Sequence, residues 1–344
     1  MNVLVIGARR RRQGIGEFVA RWFHREGARV CAIVGTSSAS VLEARTALRE
    51  QRDSLAGFEC KGYTSLEAAL GEEKPHAVAI CSPYELHLEQ AEAVARAGAH
   101  CLCEKPFLWS DDASKEGEAA RLAGLFAARG LHLSLITQWP HLLPGFYRLF
   151  PEESGRPIES FEMRMSPSAT GRVMVPDSLP HPLSMLQALL GPGHVESPRA
   201  EFAGEALREM RIEFRYRHAA GEVPVSCRFH ASDRSPRPAS FAINGKVAHR
   251  RIALPCYTFS LETEPSGGER SRSLAVADPL QLLVREFLRK VQADPRSDLQ
   301  ADVHADIKGL VEGTRALEAL DRAVRAAEDA VERLWQKDEL RKVS

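Results

Sequence analysis

The chain has 344 residues, 44% hydrophobic and 27% charged, values ordinary for a soluble globular protein and enough for two domains. Lys plus Arg is 46 and Asp plus Glu is 46, so the formal net charge is zero and there is no global field to hold a polyanion such as nucleic acid. No apolar run reaches the roughly 18 residues of a membrane span, and seven cysteines, an odd number without a CxxC pair, fit reduced thiols in a cytoplasm rather than a disulfide framework or a structural zinc site.

The first residues, Met1-Asn2-Val3-Leu4-Val5-Ile6-Gly7, have no basic segment ahead of their apolar stretch and read as a strand over 3–6 rather than a signal peptide. A helix follows over 17–26, with Phe18, Val19, Trp22 and Phe23 at helical spacing. Strands at 30–34, 77–81, 100–103 and 131–136 then alternate with helices at 41–50 and 86–97. A further helix runs to about residue 128, with Asp111 or Asp112 suited to cap it. Continuous apolar strands between amphipathic helices predict a parallel sheet covered on both faces.

Beyond residue 150 the pattern changes to alternating strands at 160–165, 208–216, 223–230, 239–243, 247–252 and 257–263. Turn signals Ala220-Gly221, Asn244-Gly245 and Ser266-Gly267-Gly268 separate them, and Asn-Gly is a strong two-residue hairpin signal. Helices at 280–293 and 301–335 close the chain. The expected fold class is α/β: a Rossmann dinucleotide-binding domain over 1–138, then an α+β domain over 139–344. The second domain's mainly antiparallel sheet would be packed on one face, and its open face would leave an apolar surface for a homodimer or homotetramer.

A strand, a glycine turn and a helix at the start of a chain form a seat for a dinucleotide pyrophosphate. Here the turn is Gly7-Ala8-Arg9-Arg10-Arg11-Arg12-Gln13-Gly14-Ile15-Gly16, with Gly7 and Gly16 nine positions apart where the usual fingerprint spaces its outer glycines by five. The arginine run is either a solvated basic loop or a grip on cofactor phosphates, with Arg9 and Arg10 the foremost candidates. The second strand ends in Gly35-Thr36-Ser37-Ser38, with no acid before Glu43 to take ribose hydroxyls. Small hydroxyl side chains beside arginines suit a 2′-phosphate, which favours NADP over NAD. The short-chain dehydrogenase pattern needs a Tyr with Lys four residues on, and none of the five tyrosines has one.

Residues Ile80-Cys81-Ser82-Pro83-Tyr84-Glu85-Leu86-His87, then Ala97-Gly98-Ala99-His100-Cys101-Leu102-Cys103-Glu104-Lys105-Pro106, resemble the glucose–fructose oxidoreductase / inositol dehydrogenase (Gfo/Idh/MocA) family. Asp177-Ser178-Leu179-Pro180-His181 is similar to that family's Asp-x-x-x-His, and Glu312-Gly313-Thr314-Arg315-Ala316 to its C-terminal helix. The chain departs from the family in its expanded glycine turn, in Arg172-Val173 where a Gly-Gly is usual, and in Thr137-Gln138-Trp139 at the end of the sixth strand.

The resemblance implies an NAD(P)-dependent oxidoreductase acting on a sugar-like or polyol small molecule, with a cis Lys105–Pro106 bond. It implies Lys105 and His181 facing each other across an interdomain cleft at the nicotinamide. Hydride transfer at a hydroxyl carbon needs a base for the hydroxyl proton and a cation for the developing alkoxide, and His181 and Lys105 are those residue types. Asp177 would orient the histidine or a second hydroxyl. Cofactor contacts are expected from Gly7, Arg9, Arg10, Gly14, Ile15, Gly16, Thr36, Ser37, Ser38, Ser82, Pro83, His87, Glu104 and Lys105. Trp139, His141 and Tyr147 either line the substrate pocket or pack a hinge, and no metal site is expected. Alternatives are a reductase of another small C=O or C=N compound, or a nicotinamide-binding sensor or regulatory protein without turnover.

Overall fold

The computed structural model describes residues 1–9, 14–50, 58–254, 256–265, 270–293 and 301–343. They divide into two compact units, Met1–Gln138 with Pro279–Thr314, and Trp139–Asp278 with Arg315–Ser344.

The first unit runs β1 (Asn2–Ile6), α1 (Gly16–Arg25), β2 (Arg29–Val34), α2 (Ser38–Glu50), β3 (Lys61–Tyr63), α3 (Leu66–Glu73), β4 (Ala77–Ile80), α4 (His87–Arg96), β5 (His100–Glu104), α5 (Glu116–Ala127) and β6 (Leu133–Ile136). Among the described residues its six strands pair in the order β3-β2-β1-β4-β5-β6, all parallel. This is the doubly wound order, with its switch point between β1 and β4. Val3 and Val5 bury one face of β1 against Phe23, while Leu4 and Ile6 bury the other with Val78 and Ile80. A strand buried on both faces has no polar phase, which explains the unbroken apolar runs.

Two differences from the sequence reading stand out in this unit. The pair β3 and α3 was not expected: β3 is three residues long with its side chains largely in solvent, so it carries almost no apolar signal. Residues 111 and 112 do not cap α5, which starts at Glu116 with Lys115 at its N-cap. Asp111 instead accepts a hydrogen bond from the Trp109 indole at 3.3 Å.

The second unit contains α6 (Leu143–Leu149), β7 (Phe161–Met165), α7 (Met174–Ser178), α8 (Pro180–Leu190), β8 (His194–Ala203), β9 (Glu209–His218), β10 (Gly221–His230), β11 (Ala239–Ile243), β12 (Lys246–Ala253), β13 (Thr258–Thr263) and β14 (Ser273–Val276). Its strands pair in the order β14-β13-β12-β11-β7-β10-β9-β8, antiparallel except for the parallel pair β7–β10. The Asn244-Gly245 hairpin forms as expected: Ile243 pairs Lys246, and both turn residues have positive φ, 51° and 77°. In β9 every second residue, Met210, Ile212, Phe214 and Tyr216, is buried.

The opposite face of β9 corrects the expectation of an open apolar surface. It is a ladder of charge: Arg211 pairs Glu213, Arg215 pairs Glu222 at 2.8 Å, and Arg217 reaches Glu196 at 2.7 Å and Glu222 at 2.9 Å.

The chain then gives α9 (Pro279–Gln292) and α10 (Ala301–Val343). Helix α9 belongs with the first unit, where Phe287 meets Phe23 edge-on at 6.1 Å and Arg285 forks onto Glu26 at 2.8 and 2.9 Å. Six of the seven cysteines are buried, and Cys256 is exposed. No helix among the described residues is long and apolar enough to cross a membrane.

Candidate active site

The glycine turn lies at the switch point of the first sheet. Gly7 takes φ +76°, and a Cβ there would stand 2.6 Å from the Cys81 carbonyl oxygen at the end of β4. A Cβ on Gly16 would collide with the Gly7 carbonyl. Both positions need glycine, because backbone meets backbone where a side chain would sit. Helix α1 begins at Gly16 behind Ile15, which offers no side-chain cap. A helix N-terminus favours an anionic group, and this glycine cradle fits a dinucleotide pyrophosphate. Gly14 and Ile15 are partly exposed beside it; Arg10 and its neighbours to residue 13 lie outside the described residues.

Arg9 is committed in part to another partner, since its Nη2 lies 2.5 Å from the carboxylate of Glu43 in α2. Sequence reasoning passed over Glu43 as too far along the chain. Helix α2 carries it back to the turn. At the end of β2, Thr36, Ser37 and Ser38 are exposed. Ser37 also caps α2: its Oγ accepts the Ser40 N–H at 3.2 Å, and Ser40 Oγ accepts the Ser37 N–H at 3.0 Å.

His87 serves the loops rather than a ligand. It is 1% exposed, with Nε2 3.0 Å from the Ser82 carbonyl and Nδ1 3.0 and 3.1 Å from the carbonyls of Pro106 and Phe107. Burial holds its pKa below the ordinary histidine value despite three carbonyls favouring the cation. The ring thus clamps the loop after β4 to the loop after β5. Ser82 is buried as well, its hydroxyl donating to Gln90 at 2.6 Å, while Pro83 is exposed. Glu104 and Lys105 are partly exposed at the carboxyl end of β5, where open α/β sheets bind ligands. The Lys105–Pro106 bond is cis.

In the second unit, α7 runs into α8 through Leu179, whose backbone is itself helical (φ −67°, ψ −24°). Asp177 and His181, four residues apart on this near-continuous helix, therefore share one face. Both are partly exposed, while the residues between them, Ser178, Leu179 and Pro180, are buried. Ser178 Oγ donates to Asp177 at 3.1 Å, and Ser184 Oγ donates to the His181 carbonyl at 2.8 Å.

Trp139 was expected to line a pocket or pack a hinge. It is 2% exposed and acts by packing: its ring lies 6.2 Å from His181 and meets Phe241 edge-on at 6.2 Å. Tyr147 packs on Phe146 at 5.4 Å, and its hydroxyl pKa is raised by burial and then by the charge of Glu153. His141 is partly exposed in the turn Trp139–Leu142. The sequence reading missed Arg250, whose guanidinium lies 4.6 Å from the Trp139 ring centroid. The signal was there: Arg250 shares strand parity with the buried Ala248. Arg172, the departure from the Gly-Gly pattern, holds Asp321 of α10 through two hydrogen bonds, at 2.6 and 3.0 Å.

Residues 1–131 match the model of the GFO_IDH_MocA oxidoreductase family, NAD-binding Rossmann fold. A curated relative, 1,5-anhydro-D-fructose reductase of Ensifer adhaerens, is 42% identical over 74 residues, 21% of this chain and 22% of that enzyme. The matched stretch thus spans about a fifth of the relative's length. Among solved structures, UDP-N-acetylglucosamine 3-dehydrogenase GnnA from Acidithiobacillus ferrooxidans superposes with TM-score 0.67 at 19% identity, covering 95% of this chain and 99% of its own. KijD10, a 3-ketoreductase from Actinomadura kijaniata in complex with NADP, gives 0.68 at 16% identity, covering 94% and 97%. At such identities these two likenesses speak to the fold. Residues 1–131 are thus similar to the NAD-binding Rossmann fold of the Gfo/Idh/MocA oxidoreductase family.

Proposed function

We propose that the chain is an NAD(P)-dependent dehydrogenase or reductase that moves a hydride between a nicotinamide and the hydroxyl or carbonyl carbon of a sugar-like or polyol small molecule. The observation that carries this is the Asp177–His181 pair, two side chains of acid–base type on one partly exposed helix face, in a chain whose residues 1–131 match an NAD-binding oxidoreductase family. The names of the relatives, a sugar reductase, a nucleotide-sugar dehydrogenase and a ketoreductase, support the substrate class.

When bound, the nicotinamide supplies the hydride donor or acceptor. Gly7, Gly14, Ile15, Gly16 and the N-terminus of α1 would hold its pyrophosphate, with Arg10 as a further contact. Lys105 holds a cation against the substrate oxygen, which favours the alkoxide over the alcohol. His181 takes the hydroxyl proton in oxidation and returns it in reduction, the general acid–base task of an imidazole. Asp177 orients the histidine or a second hydroxyl of the substrate. The same reading assigns residues 139–344 to substrate binding and assembly, the enzyme to the cytoplasm, and the preferred cofactor to NADP, with Thr36, Ser37, Ser38 and Arg9 at the 2′-phosphate. A homodimer or homotetramer would pair through the open sheet face. With the charged ladder as its basis, its association would weaken as salt rises.

Fluorescence titration with NADPH and NADH, then turnover with a panel of sugars, polyols and their keto forms, tests the reading. Cofactor binding without turnover on any member would favour the non-catalytic sensor.

A further inference from the structure

Arg250 is a cation of the second unit, its Nε sealed from solvent, that the proposed chemistry leaves without a task. It sits in β12 between Ala239 of β11 and Leu261 of β13, its cross-strand partners, both buried. Its neighbours in sequence point the other way, where His249 meets Glu264 at 3.1 Å and Arg251 meets Glu262 at 2.7 Å. Side chains alternate along a strand, so Arg250 points with the buried Ala248 to the covered face. There its guanidinium carbon lies 4.6 Å from the centre of Trp139, and the same ring lies 6.2 Å from that of His181.

The guanidinium has no counter-ion among the described residues. Its Nε is sealed from solvent and makes no hydrogen bond. The charged group acting on it is another cation, Arg237, and burial followed by this like charge brings its pKa down to about 10. At neutral pH it is still charged. Yet the residue as a whole keeps partial exposure. A desolvated cation next to a second cation is costly unless an anion joins them, and a guanidinium fork matches carboxylate and phosphate oxygens.

We propose that Arg250, with Arg237 beside it, seats an oxyanion carried by the substrate, a carboxylate or a phosphate, at a distance from His181 set by the buried Trp139. The inference rests on the reading of His181 as the proton-handling residue. It narrows the substrate class from sugar-like compounds to anionic sugar derivatives.

The test is thermal melting of the full chain without cofactor, at constant ionic strength, with D-glucuronate, glucose 6-phosphate or neutral glucose. The melting temperature should rise with one or both anionic sugars and stay put with glucose. A response to glucuronate alone assigns the seat to carboxylates, and one to glucose 6-phosphate alone to phosphates. Arg250→Met keeps the packing on Trp139 and removes the charge. It should melt higher than the wild type in anion-free buffer and require at least about tenfold more anionic sugar for the same rise. Arg250→Lys should keep a weakened response, and Arg237→Gln carries the comparison should Arg250→Met fail to fold. Equal rises in wild type and Arg250→Met, or no rise with either anionic sugar, would overturn the proposal. These shifts need no nicotinamide, so they remain readable even if hydride transfer fails.

Discussion

Arg172 and Asp321 form a bidentate pair, Nε to Oδ1 at 2.6 Å and Nη2 to Oδ2 at 3.0 Å, joined by Arg325 at 2.8 Å. The Arg172 N–H also donates to Glu328 at 3.0 Å. These bonds anchor to α10 the one-turn helix Gly171–Val173 that leads into α7 and Asp177. The side chains of Arg172 and Asp321 are only 19% and 8% exposed. Asp321→Ala removes the carboxylate that both guanidiniums share and should cost about 1–3 kcal/mol in urea unfolding. Replacing both partners, as Arg172→Met/Asp321→Leu, should recover much of the loss. A double variant as unstable as the single one would show that the loss has another source.

Gly7→Ala should damage fold and cofactor binding together. A non-glycine residue at positive φ costs about 1–3 kcal/mol by itself, and the added Cβ meets the Cys81 carbonyl besides. A melting temperature and an NADPH affinity both equal to wild type would mean that the turn relaxes freely.

Lys105→Ala should bind NADPH normally and lose most of kcat, because the ammonium acts on the reacting oxygen and not on the fold. His181→Ala should lower kcat and remove one limb of the kcat/KM pH profile. An unchanged profile would move the proton to another group.

Cofactor choice should respond to Glu43. That carboxylate now holds Arg9 at 2.5 Å. Glu43→Gln would release the guanidinium and should raise the preference for NADPH over NADH, about three- to tenfold for one exposed charge-assisted contact. Arg9→Ala should lower it. Paired titrations at low and high salt check both signs, and preferences unmoved by either change would place Arg9 away from the 2′-phosphate.

Acid should unfold the first unit through His100. Its ring lies 5.3 Å from that of His132, and its Nδ1 accepts the His132 backbone N–H at 2.9 Å. Burial, then the charges of His132 and His76, lower its pKa to about 4. The unfolded chain would hold the proton below about 6.5 while the folded one refuses it until about 4. Unfolding therefore takes up a proton in that window, and stability falls as pH drops through it. His100→Asn, which retains an acceptor, should flatten that part of a melting-temperature profile; the same slope in both proteins would acquit His100.

The parallel sheet was legible because burial on both faces leaves each strand as a plain apolar run, and Asn244-Gly245 because only a few residue types tolerate two positive φ values in a row. The edge strand Lys61–Tyr63 was not, since an edge faces water and carries no apolar code. The Asp177–His181 spacing could be read as one helix face, though the break between α7 and α8 could not. What escaped was long-range pairing. Nothing near Arg9 in sequence announces Glu43, and nothing near Arg172 announces Asp321, since such pairs are chosen by the fold. Arg250 was missed for a different reason: a charge on the inward phase of a strand reads as noise until the neighbouring strands are in place.

The thiols divide sharply. Burial raises the pKa of Cys31 and Cys60, the latter to about 11, and pushes Cys81, Cys101, Cys103 and Cys227 higher still. Since the thiolate is the reactive species, those six are nearly inert to alkylating agents while the chain is folded. Cys256, exposed between β12 and β13, is left as a single natural handle. One equivalent of a maleimide dye would mark the second unit at one known place without any engineered cysteine. Each further equivalent taken up on heating would count a thiol released from the core, so the chain carries its own gauge of unfolding.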